Sequence, residues 1–140
     1  MPSSENRPAW TATAILVGRL IFAAVFLMAV SFKLMDINAT ASYISAAGFP
    51  IPKLLAWLAA VLELLLVAGF LTGAYFSETC LVAVVYVLFL GFAFHGPSHW
   101  AGNQNEFGFF VDHFTFVAGL LFAAVNGPGR WAVQRAIIRR

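Results

Sequence analysis

The chain has 140 residues, 61% of them apolar and 10% charged, with a mean hydropathy of +0.86. Soluble domains carry about a quarter charged residues, so this composition excludes an ordinary water-soluble globule and points to a domain built in a bilayer. The net charge of +2 comes from a few Arg and Lys residues near the chain ends, and no basic stripe runs along a face as nucleic-acid binding requires.

Cys80 is the only cysteine, which excludes an intrachain disulfide, a CxxC redox pair, a Cys-rich zinc site and a cluster held by this chain alone. Gly-rich phosphate loops and Gly-x-Ser-x-Gly elbows are missing too, so no soluble-enzyme motif accounts for the chain.

Four apolar stretches, at about 12–33, 54–72, 78–95 and 109–126, approach the length needed for a ~30 Å hydrocarbon slab at about 1.5 Å per residue. Strands of a membrane barrel would alternate polar and apolar residues, which these stretches do not, and a helix satisfies its own backbone in lipid. The expected fold is therefore all-α: a polytopic membrane protein, with one four-helix transmembrane bundle over residues 1–140. In the first stretch, Arg7 and Ala12-Thr13-Ala14 mimic a cleavable signal, but the run continues past them and contains Arg19, as a retained helix would. Asp36 to Pro52 reads as a short outer-loop helix, capped near Asn38, stopped at Gly48 and closed by Phe49-Pro50-Ile51-Pro52. His95 to Asn105 reads as a polar loop with Trp100 at the interface. In the last span, Gly119 and Ala123 offer a small-residue face for close helix contact, within the bundle or between copies. With four spans, Arg7, Arg130, Arg135, Arg139 and Arg140 share one side, against Lys33 and Lys53 on the other, which places both termini in the cytoplasm.

Arg19 and Glu63 are the ionisable residues deepest in the apolar stretches. Their estimated depths differ by about 6 Å and an isolated charge near mid-membrane costs about 3 kcal/mol, so a facing pair is the expected arrangement. Arg19, Phe22, Ala23, Phe26, Val30 and Lys33 share one side of the first span; Ala56, Ala59, Ala60 and Glu63 share one side of the second. Such a pair serves either as a proton relay or a site beside a bound redox or lipid head group, or as a structural ion pair that sets helix register. A second polar cluster, Lys33, Asp36, His95, His99, Glu106, Asp112 and His113, gathers at the outer boundary. Imidazoles with carboxylates suit a divalent metal, but Gly96 and Pro97 keep His95 and His99 off one regular helix, so the cluster is read as metal-free: a ligand or partner site, or a hydrated loop. The phenylalanines concentrated around the third and fourth spans, among them Phe89, Phe92, Phe94, Phe110 and Phe114, suit a quinone ring, a partner helix, or plain packing against lipid and core.

The order and spacing of Gly18-Arg19, Ser31-Phe32-Lys33-Leu34-Met35-Asp36, Gly48-Phe49-Pro50-Ile51-Pro52, Glu63, Phe94-His95 and Asn126-Gly127-Pro128-Gly129-Arg130-Trp131 resemble the DoxX family of small four-span membrane proteins. The resemblance implies a multi-pass protein of the cell inner membrane, a subunit of an oxidoreductase or redox-homeostasis system that interacts with quinone or anchors a soluble redox partner. Family-like positions are Arg19, Lys33, Glu63 and His95; Val30 and Asp112-His113 depart from the pattern. Since no flavin, nicotinamide or iron–sulfur motif is present, the cofactor chemistry would come from other subunits, with quinone as the ligand this chain could share. The competing expectation is a structural or assembly subunit, within a larger complex or a homo-oligomer, without an active site of its own.

Overall fold

A computed structural model describes residues 8–138; Arg7, Arg139 and Arg140, which enter the charge argument above, lie outside the described residues. Among the described residues five α-helices follow in order: α1 Ala9–Met35, α2 Ile37–Ala46, α3 Pro52–Thr72, α4 Phe76–His95 and α5 Gln104–Asn126, with a 3-10 turn at Pro97–His99 before α5. All except α2 are long and apolar enough to cross a membrane, and the described residues form no strand. Many Leu, Val, Ile and Phe side chains of these spans point outward, where the hydrocarbon of a bilayer would meet them.

The helix ends follow from their sequences. Asp36 interrupts the first apolar run, and its carboxylate accepts a hydrogen bond from the Ala39 amide at 2.9 Å, so α2 is capped at Asp36 rather than near Asn38. Pro52 opens α3, where its missing amide costs no helix bond, and Gly73 closes it in the left-handed conformation at φ 72°. A Cβ at Gly73 would also lie 3.0 Å from the Arg19 guanidinium carbon and 2.5 Å from the Ala132 methyl, so glycine is required there twice over.

Helices α1 and α3 pair along one side of the bundle and α4 and α5 along the other, with α2 lying against α3. The pairs are joined by an aromatic core on the side of the bundle where α3 ends. Phe26 stacks on Phe70 with ring centroids 5.8 Å apart, while Phe22 bridges Phe70 and Phe116 at 5.3 Å each. Buried Cys80, Val87 and Leu120 complete this cluster, and a smaller one of Ala41, Ile44 and Ala56 seats α2. Beside the α3–α4 turn, Gly69 faces Thr79 so closely that a Cβ would fall 2.3 Å from its hydroxyl oxygen. Toward the α2 end, residues of both helices instead line a cavity.

Candidate functional site: an apolar cavity with a buried charge network

The helix faces expected to meet do meet: Arg19, Ala23, Phe26 and Val30 of α1 are buried, as are Ala56, Ala60, Glu63 and Phe70 of α3. The expected Arg19–Glu63 pair is not formed. Arg19, 2% exposed, donates from Nε to the Phe70 carbonyl at 3.0 Å and from Nη2 to that of Leu71 at 2.6 Å; Nη1 reaches the carbonyls of Pro128 at 3.0 Å and Trp131 at 2.7 Å. It thus clamps the last turn of α3, where carbonyls lack helix partners and the dipole is negative, to the tail that follows α5.

Glu63, 1% exposed, instead binds Lys33, whose Nζ lies 2.9 Å from Oε1. The same oxygen accepts a 2.8 Å hydrogen bond from the Tyr86 hydroxyl of α4, and Oε2 has no hydrogen-bond partner among the described residues. The physical reason is side-chain direction. Helical side chains tilt toward their own N-terminus, and α1 and α3 run in opposite directions. Arg19 therefore leans toward the terminal end of the bundle and Glu63 toward the α2 end, so the pair moves apart while Lys33 leans down onto Glu63. Seven residues also separate Glu63 from Phe70, roughly 10 Å along the axis.

Above this network lies a partly open cavity of about 950 Å³ with mostly apolar walls contributed by all five helices. Lys33, Asp36, Tyr86, His95 and His113 line it, together with Tyr43 and the rings of Phe49 and Phe89. The sequence-derived cluster is thus divided: Lys33, Asp36, His95 and His113 reach one cavity, whereas exposed His99 and Asp112 do not line it. His95 Nδ1 lies 2.7 Å from Glu106 Oε2, which leaves its Nε2 as the ring nitrogen without a hydrogen-bond partner among the described residues. The His113 ring sits 5.3 Å from that of His95, and its Nδ1 is 2.7 Å from the Phe109 carbonyl. Gly91 makes this approach of α5 to α4 possible, since a Cβ there would lie 3.1 Å from the His113 Cβ. No group of three or more His, Cys, Asp or Glu residues is placed to hold a metal ion among the described residues.

The phenylalanine patch is also divided. Phe49 packs against Phe89 and Phe94 at the cavity, and Tyr43 stacks on Phe94 at 5.1 Å. Phe92, Phe110 and Phe114 instead form an outer cluster with Trp100 across α4 and α5, while Phe116 enters the core. Burial, reinforced by the Glu106 carboxylate, pushes the Tyr43 phenol above its ordinary range, so its hydroxyl keeps its proton at neutral pH. Tyr86 was not among the expected site residues; a lone hydroxyl within the apolar run of α4 needs an internal partner and is the signal that marks it. Glu78, likewise unanticipated, accepts hydrogen bonds from the amides of Ile137 and Ile138 and holds the tail.

A helical membrane bundle with a polar-floored apolar cavity is the class these features define. The DoxX family model matches residues 14–96, and the chain belongs to that family. It is 28% identical over 130 residues to the inner membrane protein YphA of Escherichia coli (strain K12), covering 86% of this chain and 88% of that protein. It is also 28% identical over 130 residues to the inner membrane protein YqjF of the same organism, covering 90% and 93%. No solved structure matches the chain.

Proposed function

We propose that the protein is an inner-membrane subunit of an oxidoreductase or redox-homeostasis system, and that it takes a quinone into the cavity at the α2 end. The observation that carries this reading is the cavity itself: about 950 Å³ of mostly apolar space, with an ammonium, Lys33, on its wall. Ligand sites of this kind combine apolar walls with a few convergent polar groups that fix orientation. One Lys33 hydrogen is engaged by Glu63, which leaves donors for a carbonyl oxygen, and the Phe49 and Phe89 side chains on the wall suit an aromatic head group. A bound quinone would supply two-electron carrier chemistry. The residues of this chain orient its head group, exclude water and hold the Lys33 charge in place through Glu63 and Tyr86.

Quinone extracted from protein purified in mild detergent tests the reading. Stoichiometric quinone in the wild type, reduced about tenfold or more by filling the cavity with Ala59→Phe, is expected; equal traces in both would sink it. The structural-subunit reading draws on the Arg19 clamp, whose four hydrogen bonds all serve to join segments of the chain. Recovery of an intact complex containing no quinone would favour it.

A further inference from the structure

We infer that Glu63 makes the cavity selective for ligands with a neutral, hydrogen-bond-accepting head group, presented to Lys33, and against ligands with an anionic one. This deepens the quinone reading and rests on its placement of the ligand in the cavity. An unpaired lysine in an apolar pocket would attract phosphates and carboxylates, which abound as lipid head groups in any bilayer. Here the ammonium is already matched. Glu63 holds it at 2.9 Å and is itself 1% exposed, so its carboxylate has little water to screen it.

Other groups around the cavity push the same way. Asp36 puts a carboxylate on the wall that holds Lys33, and with Glu63 bound to the ammonium from behind, two carboxylates stand against the one lysine. The Tyr86 proton is directed at Glu63, so that phenol offers the cavity an oxygen acceptor rather than a donor. Glu106 lies 2.7 Å from His95 Nδ1, so the imidazole on the cavity wall stands beside a further carboxylate. An anion drawn to Lys33 would approach the Glu63 carboxylate, and like charges in a poorly solvated site repel strongly. A neutral carbonyl meets no such penalty and still accepts a charge-assisted hydrogen bond from the ammonium. The Glu63 carboxylate is thus a specificity element that acts through Lys33 without lining the cavity itself.

Native mass spectrometry of the full chain in detergent, with three probes of similar tail length, tests this: decyl-benzoquinone, a long-chain alkyl ketone and dodecyl phosphate. The wild type is expected to bind the quinone and the ketone and to prefer both over the phosphate. Glu63→Gln keeps the shape and an oxygen to accept from Tyr86 while removing the charge, and should raise phosphate binding relative to quinone binding about tenfold. Lys33→Met combined with Glu63→Gln removes both charges together, spares the fold an uncompensated carboxylate, and should abolish the phosphate gain. A wild type that prefers the phosphate, or Glu63→Gln with unchanged preference, overturns the inference, as does a wild type that binds no probe. Binding of the ketone but not the quinone, with the same response to Glu63→Gln, would uphold the charge selectivity and overturn the quinone reading alone.

Discussion

Two charged side chains on facing helices need not meet. Arg19 finds four carbonyls instead of a carboxylate, and its work is to fasten the end of α3 to the C-terminal tail. Lysine keeps the charge but cannot reproduce the planar fork that reaches four acceptors on two segments. Arg19→Lys is therefore expected to lower stability by about 3 kcal/mol, because buried carbonyls lose charged donors. Thermal unfolding in detergent reads this, and quinone-probe binding should change by less than about threefold, since the clamp lies at the other end of the bundle. A stable variant with lost binding would contradict this division of labour. Gly73→Ala should cost at least about 1 kcal/mol in the same assay, from backbone strain at φ 72° together with the contact to Arg19. The residues carrying buried charge were legible in the sequence because ionisable groups stand out in apolar runs. Their partners were not, because depth counted along a helix ignores the direction in which each side chain leans.

At the scale of the elements, α2 converts a four-helix bundle into one with a walled cavity. Its hold on the structure is modest: the Asp36 cap, the small cluster of Ala41, Ile44 and Ala56, and the Tyr43–Phe94 stack. Asp36→Ala removes the cap, worth about 1 kcal/mol, and should speed amide exchange across Ile37–Ala46 about fivefold while leaving exchange in the α3 core unchanged. Equal exchange in both proteins would show that α2 is held by packing alone. The four spans and the short helix were readable because hydropathy, length and the Gly-Pro punctuation at 48–52 are local properties of the chain. The cavity was not, because it depends on how α3 and α4 lie beyond their close contact at Gly69 and Thr79, which no local pattern encodes. The outer histidines show both sides of this. His95 and His113 were expected at similar depth and are brought together, but only through the space left by Gly91, and His99 is carried away on its 3-10 turn.

For the whole molecule, the charges of the loops bear on which way the bundle faces. The tail and the α3–α4 turn form one end, joined by the Val133 amide to the Thr72 carbonyl and the Tyr75 amide to the Arg135 carbonyl. Arg130 and Arg135 lie at that end, while at the other Lys53 stands at the start of α3 and Lys33 is neutralised by Glu63. The excess of arginine favours a cytoplasmic position for the terminal end, with the cavity on the opposite, outer half of the membrane. Cys80 makes this testable with little background, because the chain has no other cysteine and this one is fully buried. A Ser98→Cys variant places an exposed thiol in the α4–α5 connection, close to the cavity end. An impermeant maleimide applied to cells whose inner membrane is intact should label it at once, whereas Ala136→Cys, in the exposed tail, should react only after lysis. The reverse pattern would turn the bundle over and put the cavity toward the cytoplasm, where a soluble redox partner could reach its ligand directly.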